Sequence, residues 1–223
     1  SLAVWTLGMK RFSVALWLLI ATAVIAGFWS FSGAKELDVW MFELLPGIVG
    51  VVGLVVLSSR FTFSALTCFL ISVSFVLIAA GARYSYAEMP LLDWLWNQLG
   101  SNRNHFDRVG HFFQGLTVGL MAREVIIRKA TVGRRWGLPI LSISFALSFS
   151  ALYELVEWWV VLLFYAQEGA EWLGLQGDEW DAHWDMSMAL AGSMTAAFAL
   201  AGLHNWSVRR WQQQCELPRD IAA

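Results

Sequence analysis

Charge is scarce in this sequence. Only 14% of its 223 residues are Asp, Glu, Lys or Arg, against roughly 25% in soluble domains, so little water-facing surface can be built. Cysteine is scarcer still. Two cysteines make neither a disulfide framework nor a Cys-based zinc site, and Cys68 in an apolar run and Cys215 in a polar tail read as free thiols. A net charge of -2 leaves no basic footprint, which argues against a nucleic-acid partner. Neither G-x-S-x-G nor H-E-x-x-H is present, so no ready-made nucleophile elbow or zinc-protease signature exists. Domain linkers, low-complexity tracts and inverted repeats are also missing, which predicts one integral membrane domain over Ser1–Ala223.

Apolar sequence is there in abundance, at 58% of the chain, with 14 tryptophans. Many of these end apolar runs (Trp29, Trp40, Trp94, Trp96, Trp136, Trp172, Trp184, Trp206), the membrane-interface pattern. A bilayer core of about 30 Å needs about 20 apolar residues per helix, and backbone hydrogen bonding at that depth demands helices. Six such runs predict an all-α polytopic bundle: 12–31, 40–57, 61–82, 107–127, 138–165 and 184–206. The second, interrupted by Pro46, Gly47, Gly50 and Gly53, is the weakest. The first follows Lys10 and Arg11 and ends near Ser32-Gly33-Ala34, like a secretory signal, but its length predicts a retained span.

Lys and Arg set the orientation. Ten of them (Lys10, Arg11, Arg60, Arg128, Lys129, Arg134, Arg135, Arg209, Arg210, Arg219) fall on one side of a six-span alternation and four (Lys35, Arg83, Arg103, Arg108) on the other. The positive-inside rule then places both termini in the cytoplasm of a bacterial inner membrane. Between spans three and four, Leu92, Leu95, Trp96 and Leu99 share a helical face after Pro90, which predicts a short interfacial helix over 90–99 on the outer surface.

Ionisable residues within spans are costly and therefore informative. Asp107, His111 and Gln114 follow i, i+4, i+7 on one face of span four, where they can bind metal, act as an acid/base pair or simply cap the helix. Ser150, Glu154 and Glu157 share a face of span five. Two carboxylates so close share a proton, pair with Arg or bind metal, unless the span overshoots the bilayer and they reach water. Asp178, Asp181 and Asp185 follow i, i+3, i+7 into span six, and Gln176 precedes them; His183 points about 160° from Asp185 and reads as an interface residue. The orientation places all three clusters in the outer leaflet. Arg123 and Glu124, toward the inner end of span four, read as a structural or anchoring pair, with Arg123 able to snorkel to the surface.

The motifs RNHFDRVGHFFQG, LYELVEWW and LGLQGDEWDAHWDM together resemble the YjdF-like bacterial inner-membrane family, over about the last two thirds of the chain. The resemblance implies a multi-span inner-membrane protein and brings no reaction with it. A more distant likeness is to VanZ-like membrane proteins, linked to glycopeptide-antibiotic tolerance. Their D-K-x-x-H, E-x-x-Q and D-x-x-x-N motifs would fall on Asp107, Arg108 and His111, on Glu154 and Glu157, and on Asp181 or Asp185. Glu157 departs from Gln, and Ala189 stands where Asn would.

Three function classes follow from these residues. The first is a metal-dependent membrane enzyme with an outward-facing cluster acting on a lipid or other envelope molecule. In it Asp107, His111, Glu154 and Glu157 are catalytic, and Asp181 and Asp185 join them as ligands of zinc, manganese or magnesium. Arg103, Arg108, Gln114, Gln176 and Asp178 would bind substrate. The second is a proton- or cation-coupled transporter using the same acids. The third is a non-catalytic envelope or partner-binding factor, suited to the small-residue stripe Ala189, Gly192, Ala196. Membrane lipid is a partner in all three, and nothing in the pattern fixes an oligomeric state.

Overall fold

The computed structural model describes residues 13–35, 37–100, 103–133, 135–164 and 175–216, with the side chains at 91–93, 175, 215 and 216 excepted. The readings placed on Phe12, Lys10, Arg11, Arg134, Trp172, Arg219 and the side chains of Leu92 and Cys215 fall outside the described residues. Among those described, every regular element is helical: α1 (Val14–Phe31), α2 (Leu37–Leu57), α3 (Ala65–Tyr84), α4 (Pro90–Gln98), α5 (Phe106–Lys129), α6 (Gly137–Phe164), α7 (Asp181–Met194) and α8 (Ala201–Glu216). A π-helical turn, Thr195–Ala199, joins the last two, and 3-10 turns cover Tyr86–Glu88 and Leu175–Gly177.

Local sequence sets the boundaries. Ser13 caps α1 by accepting from the Leu16 N–H at 3.2 Å, which satisfies one of the donors a helix start leaves open. Pro90 opens α4, where its missing N–H costs nothing. Pro46 sits inside α2, a position tolerated in a span.

Four helices, α1, α2, α3 and α6, are long and apolar enough to cross a membrane, and a fifth span is made if α7 with its π turn and α8 count as one. The chain is thus an all-α polytopic helix bundle. Its outside is apolar: Leu18, Ile25, Phe28, Met41, Val49 and Val56 are all exposed, a surface that only acyl chains can cover at this density. α5 inverts the pattern. Its 24 residues span about 36 Å at 1.5 Å per residue, yet they include Asp107, Arg108, Arg123, Glu124, Arg128 and Lys129. It lies at the centre, packed on α3, α6 and most extensively on α7.

The α5–α7 contact is close because glycine permits it. A Cβ at Gly115 would collide with the Ala189 carbonyl, and one at Gly192 with the Phe112 carbonyl. The small-residue stripe on α7 therefore packs inside this chain, the usual means by which membrane helices approach. Beyond it the last span is not the straight helix expected over 184–206. α7 with its π turn and α8 meet at 66°, and the Leu200 N–H donates to the Thr195 carbonyl across the break.

The far end of α5 holds a second polar centre. Glu124, fully buried, accepts from the Ser64 N–H (2.8 Å), Ser64 Oγ (2.8 Å), Thr67 Oγ1 (2.7 Å) and Arg128 Nη1 (2.9 Å), with His204 Nε2 at 3.3 Å. His204 Nδ1 lies 2.7 Å from Arg123 Nη1. Because a guanidinium only donates, Nδ1 accepts and Nε2 carries the proton toward Glu124. The expected snorkelling of Arg123 to the surface does not occur: the residue is 4% exposed, because α8 folds back over it and supplies His204. Between this centre and the opposite end of α5 lies an apolar layer of Leu70, Leu116, Leu120 and Ala196.

Candidate metal centre

Asp107 and His111, one turn apart at the start of α5, face Asp185 in the first turns of α7. One ligand-capable atom from each lies within 4.8 Å of the other two. His111 Nε2 stands 3.6 Å from Asp107 Oδ1, and its Nδ1 stands 3.6 Å from Glu154 Oε1 on α6. Three helices thus meet at one imidazole. The Tyr153 ring supports it edge-on, with centroids 5.8 Å apart.

The group is enclosed. His111 is 7% and Asp185 3% exposed, and Asp107 is half-buried. His111 Nδ1, Glu154 Oε1, Asp185 Oδ1, Gln114 Oε1 and Ser150 Oγ are sealed from solvent without a hydrogen-bond partner among the described residues. Buried polar atoms are normally paired, so the orphans on His111, Glu154 and Asp185, which meet here, mark a polar site left unsatisfied by the protein. The carboxylates also feel one another: Asp185 interacts electrostatically with Asp107, Asp181, Glu154 and Glu157, and Glu154 with Glu157, Asp107 and Asp181.

The expected outward-facing cluster is corrected by this burial. Two segments fold over it. Arg103 pairs with Asp181 and, at 3.4 Å, with Asp178, while Arg108 reaches Asp178 at 2.7 Å. Gln176 clamps the Asn104 backbone from both sides, accepting from its N–H (2.9 Å) and donating to its carbonyl (2.8 Å), with Gln176 itself at φ 57°. Asn104 Nδ2 in turn donates to the Met89 carbonyl at 2.9 Å. Arg103, Arg108, Gln176 and Asp178, four of the residues read as substrate-binding, thus hold these two segments against each other. His105, at the edge, accepts from Arg108 at 3.0 Å and packs on Trp96; burial, then Arg108 and Arg103, hold its pKa below the ordinary imidazole value.

Of the other residues singled out by pattern, Glu157 is exposed on α6, though its charge reaches Glu154. His183 is exposed and meets the Trp180 ring edge-on. Two contributors escaped the sequence reading. Glu43, on α2, has its Oε2 sealed and unpartnered and interacts electrostatically with Asp107 and Glu157. Tyr86 fills the space left by Gly81 and lies against Phe106, and burial drives its pKa well above the ordinary phenol value. The only cue for Glu43 was an isolated acid in an apolar run, on the face that also carries Gly47.

Fold and site together define a polytopic membrane protein with an enclosed His/carboxylate centre. The chain belongs to the family described as "Predicted membrane protein (DUF2238)", whose model matches residues 15–206. It is 38% identical over 172 residues to "Inner membrane protein YjdF" of Escherichia coli (strain K12), covering 77% of this chain and 82% of that protein. The YjdF-like resemblance therefore holds well beyond the last two thirds, and nothing in these matches supports the VanZ-like one. No solved structure matches the chain.

Proposed function

We propose that this is an inner-membrane protein that binds a divalent cation inside its helix bundle, with Asp107, His111 and Asp185 as ligands. The observation that carries the reading is three ligand-capable atoms within 4.8 Å of one another, two of the residues almost wholly buried and each with an orphaned polar atom. Anionic groups taken out of water are expensive unless a cation offsets them, and here the nearby guanidinium groups pair with Asp178 and Asp181. One nitrogen among oxygens suits zinc, manganese or magnesium. Glu154 is positioned to accept from His111 Nδ1–H, which leaves Nε2 free for the ion, the usual arrangement around a metal-bound histidine. Arg103, Arg108, Asp178, Asp181, Asn104 and Gln176 keep water away.

In the same reading α5 is the sixth span, carried in the centre of a single membrane domain by the other helices. α4 lies along the outer surface with Trp94 and Leu99 exposed, and both termini and the loop after α5 are cytoplasmic. The inner-membrane location draws on the printed name of the Escherichia coli relative and on the Lys/Arg asymmetry. Elemental analysis of the purified protein is the test: a divalent metal in stoichiometric amount, lost in Asp185→Asn with the fold intact, supports the centre. Metal-free wild type that stays metal-free after incubation with each of the three ions sinks it. Reporter fusions at the C-terminus test the orientation, which a periplasmic signal would overturn.

A further inference from the structure

α8 follows a bend, and contacts at the ends of two other helices fix where it lies. α7 (14 residues) and its π turn (5 residues) already rise roughly 28 Å at 1.5 Å per residue, about the thickness of a bilayer's hydrocarbon core. α8 then departs at 66°. Ser207 Oγ accepts from the N–H of Leu66, the second residue of α3, at 3.1 Å. The Arg128 guanidinium, in the last turn of α5, stacks on the Trp211 and Phe61 rings, 3.8 and 3.9 Å from their centroids. α8 therefore crosses the end of the bundle where α3 begins and α5 stops.

Its two faces differ. His204, Ser207 and Val208 are buried against that end, whereas Leu203, Trp206 and Arg210, spaced i, i+3, i+7, share the opposite face. Leu203 and Trp206 are each 50% exposed, and the Arg210 guanidinium lies 5.3 Å from the Trp206 ring centroid. Arg60, Lys129 and Arg210 each adjoin in sequence one member of the Phe61–Arg128–Trp211 stack, so three chain segments bring exposed cations to one rim, with Arg209 next in line. No acid occurs within 55–67, 125–137 or 201–215. Among the described residues no carboxylate forms an ion pair with any of these four cations. An apolar and aromatic stripe bordered by unneutralised cations suits a helix lying in a membrane interface and complements acidic headgroups in charge. We infer that α8 lies along the membrane surface and that Arg60, Lys129, Arg209 and Arg210 bind the phosphate of an acidic phospholipid, whose acyl chains cover Leu203 and Trp206. The cation centre is at the other end of α5 and takes no part in this.

The test is native mass spectrometry of the full chain in detergent, titrated with phosphatidylglycerol or with zwitterionic phosphatidylcholine. Wild type should retain phosphatidylglycerol at concentrations where phosphatidylcholine is lost. Arg209→Gln combined with Arg210→Gln should weaken that retention about fivefold for each cation removed and leave phosphatidylcholine binding unchanged. Should that variant not reach folded protein, Arg60→Gln combined with Lys129→Gln, on the other two segments, takes its place with the same expectation. Equal retention of both lipids by wild type, or phosphatidylglycerol held as tightly by the variants, overturns the assignment. So does a dimer that retains neither lipid and separates on Leu203→Asn, because a second copy would then cover the same face.

Discussion

His111 Nδ1 and Glu154 Oε1 face each other at 3.6 Å, and neither has a hydrogen bond to any other described residue. A histidine oriented from behind by a carboxylate presents its other nitrogen in one tautomer, which raises its strength as a ligand. Glu154→Gln keeps the shape and removes the charge. Divalent-metal affinity is expected to fall by roughly 10- to 100-fold without loss of the site, whereas His111→Ala removes a ligand and should leave no measurable binding. Calorimetric titration separates the two, and equal affinity in Glu154→Gln and wild type would remove Glu154 from the centre.

The closing segments give a second prediction. Asp178 holds both Arg103 and Arg108, so Asp178→Asn loosens two arginines at once while Asp181 keeps Arg103. Hydrogen exchange over 103–108 should speed up, with the helical part of α5 beyond Gly115 unchanged. An unchanged rate at 103–108 would mean that the Arg103–Asp181 pair and the Asn104–Gln176 clamp keep the site shut without Asp178.

Glu124 provides the third. Four donors and an imidazole converge on it in a fully buried position, so Glu124→Ala strands them all and should destabilise the bundle by about 3–5 kcal/mol. Thr67→Val, which removes a single donor, should cost about 1 kcal/mol. Thermal unfolding in detergent ranks these variants, and a Glu124→Ala protein as stable as wild type would show that the network carries no stability.

The fourth contrasts two glycines. Gly115→Ala places a methyl group against the Ala189 backbone carbonyl, which no rotamer change relieves, and overpacking should cost about 1–3 kcal/mol or more. Gly27→Ala on α1 meets nothing within 4 Å and should unfold at the temperature of wild type. Loss of stability in both would point to the helices' intrinsic flexibility in place of the α5–α7 contact.

How much of this was legible in the sequence depended on distance along the chain. Apolar length wrote out α1, α2, α3 and α6 directly. The spacing Asp107, His111, Gln114 fixed a helix face, and the acids preceding and entering α7 pointed to the same region. The burial of the site was not legible, because it comes from pairs such as Arg108 with Asp178, 70 residues apart, and no local pattern reports which loop lies over which. Glu124 and His204 are 80 residues apart and meet only because the chain bends at Thr195–Ala199, a break that no proline announces. Glu43 was hidden for another reason: in a run of apolar residues, a lone acid gives a periodicity argument nothing to count.

The layer of Leu70, Leu116, Leu120 and Ala196 has an electrical consequence. It divides α5 into a half that ends in carboxylates and a half that ends in the Glu124 network. Nearby, the hydroxyl pair of Ser74 and Thr117 turns onto the Phe113 and Leu70 carbonyls, and among the described residues no run of side-chain hydrogen bonds continues through the leucines. Such a layer is a dielectric. With α5 as the sixth span proposed above, a transmembrane voltage, worth about 2.3 kcal/mol per elementary charge per 100 mV, would drop across it and leave the two polar centres at different potentials. The protein would then resemble a capacitor with a charged plate at each end of one helix.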